Sequence, residues 1–167
     1  MAIVWLGHGA SGGPETMAPY VEQLELLGID SRALRLPRGR AERAMEPLRQ
    51  QVGSALPRAV IGGHSFGGRV ASMVAAETSP AALVLLSYPL HRPGHPEQLR
   101  VDHWPAIECP VLLLSGDRDQ FARVDLLERS VRQLRHAALH IYPGMGHGLV
   151  PCAVDVAERV AAFVATC

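Results

Sequence analysis

Three residue types that together perform acyl transfer, a hydroxyl, an imidazole and a carboxylate, each stand just past an apolar run in this chain. Ser65 is centred in Gly63-His64-Ser65-Phe66-Gly67, Asp119 ends Gly116-Asp117-Arg118-Asp119, and His147 lies in Gly146-His147-Gly148. A serine hydroxyl is a poor nucleophile until an imidazole takes its proton, and a carboxylate then fixes the imidazole tautomer and stabilises its charged form. The run Ala59-Val60-Ile61 enters Ser65 as a buried strand, and Arg69-Val70-Ala71-Ser72-Met73-Val74 leaves it as a helix. Glycines two residues either side of a strained serine are what a strand and a helix passing close together require. A helix start also offers unpaired N–H groups and a positive dipole end to an oxyanion. The competing reading, a plain strand-to-helix turn, accounts for Gly-x-Ser-x-Gly alone but not for the acid and histidine that follow in the order Ser, Asp, His.

A second glycine-rich turn, Gly7-His8-Gly9-Ala10-Ser11-Gly12-Gly13, follows the apolar run Ile3-Val4-Trp5-Leu6 and can turn backbone N–H groups toward a ligand. It matches neither the phosphate-loop pattern ending in Gly-Lys-Ser/Thr nor the dinucleotide Gly-x-Gly-x-x-Gly pattern with its later acid. Asp117 beside Gly116 reads as a turn former. His8 reads as a structural residue of its loop, and His64 as a pocket-wall or packing residue pointing away from Ser65. His91 and His95 are four apart, but Pro93, Gly94 and Pro96 forbid the helix that would align them, so they are read as exposed or substrate-rim histidines and no metal site is expected. Tyr88, Trp104 and Met145, with Phe66, are candidates for a modest apolar substrate pocket. With aromatic residues at 5%, an extended platform for sugars or bases is not expected.

The elements that must position these groups alternate along the chain. Strands are expected at Ile3–Leu6, 29–36, 59–64, 82–88, 111–115 and 138–142. Helices are expected at 17–27, 41–56, after Ser65, at 121–134 and at 153–164. In the first helix Val21, Leu24 and Leu27 are apolar at helical spacing and Gly28 marks the stop. Continuous apolar runs such as Ala82-Leu83-Val84-Leu85-Leu86 belong to strands covered on both faces, and the alternation predicts a parallel sheet between helical layers. This α/β fold, a three-layer sandwich with a six-stranded, mostly parallel sheet, is read as one domain over residues 1–167. The longest irregular stretch, from Pro89 to Pro110, is long enough to belong to a binding site.

Composition narrows the function. Lys plus Arg and Asp plus Glu number 16 each, so nothing favours nucleic acid or an anionic membrane as partner. The nearest basic cluster, Arg32, Arg35, Arg38, Arg40 and Arg43, is diluted by Glu42 and Glu46 and reads as a solvated strand end and helix face. Three cysteines without Cys-x-x-Cys spacing suggest neither a disulfide framework nor zinc, and a reducing, cytoplasmic setting is expected. The apolar start, Met1 to Leu6, has no basic lead and reads as a strand rather than a signal or membrane span.

These segments together resemble the α/β-hydrolase superfamily. Leu6-Gly7-His8-Gly9-Ala10, Gly62-Gly63-His64-Ser65-Phe66-Gly67-Gly68, Ser87-Tyr88-Pro89-Leu90-His91, Gly116-Asp117-Arg118-Asp119 and Gly146-His147-Gly148 are similar to a small lidless group. That group includes dienelactone-hydrolase relatives and the testis-expressed and NSL-complex-subunit-like hydrolases. The resemblance implies Ser65 as nucleophile, His147 as base and Asp119 as the acid, by the family's Gly-x-x-Asp spacing from Gly116. It implies the N–H groups of Ala10 and Phe66 as oxyanion donors, no cofactor, and a small ester or thioester as substrate. It further implies a minimal fold lacking the family's first two strands and its cap, which would leave the strand around Leu34 as a sheet edge open to homodimer pairing. Chromatin-complex relatives in the same group keep open an interaction or scaffold role, against which the complete set of three residues weighs. Acyl transfer or peroxide-forming chemistry on the same three residues is a further alternative.

Overall fold

The computed structural model describes residues 2–167, and its framework is one sheet of six strands in the order β2-β1-β3-β4-β5-β6. The strands are β1 (Val4–Gly7), β2 (Ser31–Leu34), β3 (Val60–His64), β4 (Ala82–Leu86), β5 (Val111–Gly116) and β6 (Ala137–Tyr142). Every neighbouring pair is parallel, with Val4 opposite both Ser31 and Val60, and Leu86 opposite both His64 and Leu114. Among the described residues five α-helices connect and cover them: α1 (Ala18–Leu26), α2 (Ala41–Val52), α3 (Phe66–Glu77), α4 (Val124–Val131) and α5 (Ala153–Val164).

Side chains alternate along each strand between two separate cores, as the period of two demands. Val4, Leu6, Val60, Val84 and Leu114 pack with Tyr20 and Leu24 of α1 and Val156 and Val160 of α5. Trp5, Ile61, Leu83, Leu85 and Leu113 pack on the opposite face with Leu48 of α2, Val70 and Val74 of α3, and Leu127 of α4. The chain leaves β1 toward β2 on one side and returns to β3 on the other. The order therefore reverses between β1 and β3, where parallel sheets open a crevice at their C-terminal ends. Both glycine-rich turns leave at that crevice.

Several elements are shorter than the sequence suggests. The first helix opens as a tight 3-10 turn, Pro14–Met17, before Ala18. Its buried face is set by Tyr20 and Leu24, while Leu27 lies past the last turn and is 46% exposed, so it does not belong to the core. The second helix stops at Val52 because Gly53 takes a positive φ of 59°, and a 3-10 turn continues to Arg58. The fourth strand ends at Leu86, two residues early, because Ser87 adopts a φ of 49°. The fourth helix runs only from Val124 to Val131, and β2 only from Ser31 to Leu34, where it forms the sheet edge beside β1. Among the described residues no helix is long and apolar enough to cross a membrane.

Candidate active site

At the end of β3 the chain turns sharply into α3, and Ser65 carries the turn with φ 51° and ψ −114°. The left-handed backbone is unfavourable for a serine and is held by its surroundings. Its N–H donates to Leu86 O at 2.9 Å, which ties the turn to β4. A Cβ on Gly63 or on Gly67 would run into the backbone of Gly7 in β1. The two flanking glycines thus serve one close approach: β1 and the start of α3 pass within backbone contact, and Ser65 is squeezed out between them.

The Ser65 hydroxyl lies 2.7 Å from His147 Nε2, and His147 Nδ1 lies 2.8 Å and 2.9 Å from the two carboxylate oxygens of Asp119. Nδ1–H donating to Asp119 leaves Nε2 to accept from the serine hydroxyl, a consistent tautomer for proton transfer. The Asp119 side chain is fully buried, and its Oδ1 also accepts the Phe121 N–H at 2.8 Å. His147 is partly open, with the Phe121 ring centroid 4.2 Å from its own. Asp117, the other acid of that turn, points elsewhere: its Oδ1 accepts the Gly144 N–H at 2.7 Å and so anchors the loop that carries His147.

His64 is more closely involved than its reading as a wall residue conveys. Its ring lines the cleft, and its Nε2–H donates to His147 O at 2.8 Å, holding the histidine loop from the serine side. Burial pushes its pKa below the ordinary histidine value, so it stays neutral in that role. His8 is buried under the first glycine turn, with Nδ1–H donating to Gly9 O at 2.8 Å and Nε2 accepting Leu36 N–H at 3.0 Å. It fixes that turn against the end of β2.

A cleft of about 1190 Å³ opens over the serine, with Ala10, Ser65, Phe66, Phe121 and His147 in its lining. Phe66 begins α3, so its N–H has no acceptor within the helix, and Ala10 faces the cleft from the turn after β1. The proposed pocket residues Tyr88, Trp104 and Met145 do not line this cleft. Tyr88 and Trp104 are 1% and 0% exposed and meet edge to face at 5.0 Å between centroids, inside the core beneath α3. Their size made them pocket candidates, but burying so much apolar surface is what secures the loop between β4 and β5. Met145 packs with the core on the other face of the sheet. His91 is buried too, not a rim residue: Nδ1–H donates to Arg92 O at 2.9 Å and Nε2 accepts Arg123 N–H at 3.1 Å.

The β4–β5 segment does reach the cleft, through Pro89 and through Arg92, Leu99 and Arg100, which no motif marks. Arg40, read as part of a solvated face, lines it from the other side.

Comparison with known proteins places these features in context. A family model described as "Alpha/beta hydrolase domain" matches residues 2–162. An uncharacterized protein of Mycobacterium tuberculosis is 35% identical over 101 residues, covering 51% of this chain and 36% of the relative. The match thus spans about a third of that relative's length. Among solved structures, a monoacylglycerol lipase of Paleococcus ferrophilus superposes with a TM-score of 0.83 at 14% identity, covering 98% of this chain and 94% of that one. Est1E of Butyrivibrio proteoclasticus gives 0.80 at 15% identity, covering 99% and 89%. A thermophilic esterase of Thermogutta terrifontis gives 0.75 at 18%, covering 99% and 90%. At these identities the likeness is one of fold.

Proposed function

The chain belongs to the alpha/beta hydrolase domain family, and from that premise we propose that it is a serine hydrolase of small carboxylic esters or thioesters. The observation that carries this reading is the unbroken hydrogen-bonded chain Ser65–His147–Asp119, at 2.7 and 2.8 Å, under an open cleft. Ser65 Oγ attacks the substrate carbonyl carbon while His147 Nε2 takes the hydroxyl proton. The carbonyl oxygen becomes an oxyanion that accepts the N–H groups of Phe66 and Ala10, where donors already oriented for charge act most strongly. Collapse breaks the bond to the leaving alcohol or thiol, which receives the proton from His147, and leaves the acyl group on Ser65. Water then gives a proton to His147 as it attacks the acyl carbon, and collapse breaks the bond to Ser65 Oγ, which takes that proton back from His147 as the acid leaves. Asp119 keeps its charge throughout and acts by orienting and stabilising His147.

Fluorophosphonate labelling of the purified protein tests the reading. The expected result is labelling that disappears in Ser65→Ala and falls strongly in His147→Ala, together with turnover of short-chain esters. Absence of labelling in the folded wild-type protein would overturn it and favour the scaffold role that the family resemblance also allows.

A further inference from the structure

The charges around the cleft do not balance. Arg40, Arg69, Arg92 and Arg100 all line it, and Glu42 is the acid among the described lining residues. Elsewhere half of the arginines are paired with acids: Arg32, Arg49, Arg123, Arg129, Arg135 and Arg159 each make a salt bridge, and the others are not gathered in one cleft. Among the described residues none of the four cleft arginines makes a salt bridge.

Two of the four are more than surface charges. Arg69 is half-buried in the first turn of α3, and its backbone N–H donates to Ser65 O at 3.0 Å. It therefore sits one helical turn beyond the serine on the same face. Its Nε is buried with no hydrogen-bond partner among the described residues. A buried donor left unpaired is costly, and a cation in a helix's first turn opposes the macrodipole; no acid in that turn compensates. Arg100 is also half-buried, and its backbone is pinned on both sides. Its O accepts the buried Tyr88 hydroxyl at 2.6 Å, and its N–H donates to the buried Leu90 O at 2.8 Å. Burial and the like charges of Arg69 and Arg92 push its pKa below the ordinary arginine value. Exposed Arg92 is held by Gln98 Oε1 at 3.1 Å at the rim. Like charges gathered without counter-charge oppose folding and favour an anion brought from outside.

We infer that Arg69 and Arg100 form an anion-binding pair in the cleft, and that the substrate is an ester or thioester bearing a carboxylate or phosphate. The inference rests on the hydrolase reading and narrows its substrate class. Guanidinium groups present paired N–H donors that match either oxyanion. The anion belongs either to the acyl chain, as in the monoester of a dicarboxylic acid, or to a phosphorylated leaving group.

Matched substrates separate these sources. Para-nitrophenyl butyrate is compared with mono-para-nitrophenyl glutarate, and butyryl-N-acetylcysteamine with butyryl coenzyme A. In the wild-type protein kcat/KM for the anionic member of one pair is expected to exceed that of the neutral member by about tenfold or more. Arg69→Gln and Arg100→Gln should each reduce that ratio about tenfold, mainly through KM. Arg132→Gln, an exposed arginine away from the cleft, should leave the ratio as it is. Equal kcat/KM within both pairs, or a ratio that neither cleft substitution moves, overturns the inference. Turnover of none of the four esters overturns the hydrolase reading instead. The arginine pair is then judged by calorimetric titration of the wild-type protein with glutarate and with inorganic phosphate. Binding that weakens in both variants supports the pair, and no binding to the wild type overturns it.

Discussion

Two serines follow neighbouring strands with nearly the same positive φ. Ser65 follows β3 with φ 51°, and Ser87 follows β4 with φ 49°. Each N–H donates to a carbonyl near the end of the next strand, Ser65 to Leu86 O at 2.9 Å and Ser87 to Leu114 O at 2.8 Å. Beyond the backbone they differ completely. Ser65 opens into a helix, faces a cleft and meets His147 at 2.7 Å. Ser87 is 0% exposed, runs into the packed Tyr88-Pro89-Leu90 segment, and its hydroxyl has no partner among the described residues. A strained turn at a strand end thus exposes a nucleophile only where the following chain leaves room and a base arrives from elsewhere.

The sharpest way to break that comparison is to remove each hydroxyl in turn. Ser65→Ala should lower kcat by about 10⁴- to 10⁶-fold, measured with the best ester found. Retained turnover would leave Ser65 no more reactive than Ser87. Asp119→Asn comes next, with an expected loss of about 10⁴-fold in kcat and near-wild-type folding by circular dichroism, because the amide favours the wrong imidazole tautomer. A loss of only a few fold would mean that His147 is oriented by His64 and Phe121 alone.

Gly67→Ala tests what squeezes Ser65 out. The new methyl meets the Gly7 backbone, which has no side-chain freedom to yield, so a loss of at least about 3 kcal/mol in denaturant unfolding is expected. A stable variant would show that β1 can draw back and that the turn is not held by this contact.

Two half-buried histidines then set a pH limit on the same region. Burial lowers the pKa of His64, and burial together with the Arg69 charge lowers that of His103, whose Nε2 pairs with Ser72 Oγ at 2.8 Å. In the unfolded chain both titrate near the ordinary value of about 6.5, so below that pH the unfolded state binds more protons. Their contribution is complete above about pH 6.5 and is lost on acidification. Thermal midpoints should therefore fall from about pH 7.5 to about pH 5.5, and His103→Gln should flatten part of that fall. An unchanged slope in the variant would remove His103 from the account.

Ser87→Ala carries the smallest effect. Removing a buried hydroxyl that has no partner should keep fluorophosphonate labelling intact and leave stability within about 1 kcal/mol or slightly improved. Lost labelling would show that the two turns are coupled.

Much of this arrangement can be read from residue order. Apolar runs running into glycines located the ends of β1, β3 and β5 to within about a residue, and α5 runs from Ala153 to Val164 as its pattern indicates. Leu27 keeps the apolar spacing of the first helix but is exposed, because that spacing continues past the point where the chain stops being a helix. Tyr88 and Trp104 are pocket candidates by sequence and core residues in the fold, because an aromatic residue in an irregular stretch looks the same whether it fills a core or lines a pocket.

What the sequence alone determined is local: which segments are buried on both sides, where glycine permits close approach, and which reactive side chains stand just beyond strand ends. Those properties depend on neighbours a few residues away. The tertiary structure decided which groups meet. It put Asp119 rather than Asp117 against His147, turned His64 to hold the histidine loop, and gathered Arg40, Arg69, Arg92 and Arg100 from three separate segments around one cleft. Such meetings depend on strand order and crossover, which bring residues 82 positions apart to within 2.7 Å and leave no trace in local spacing.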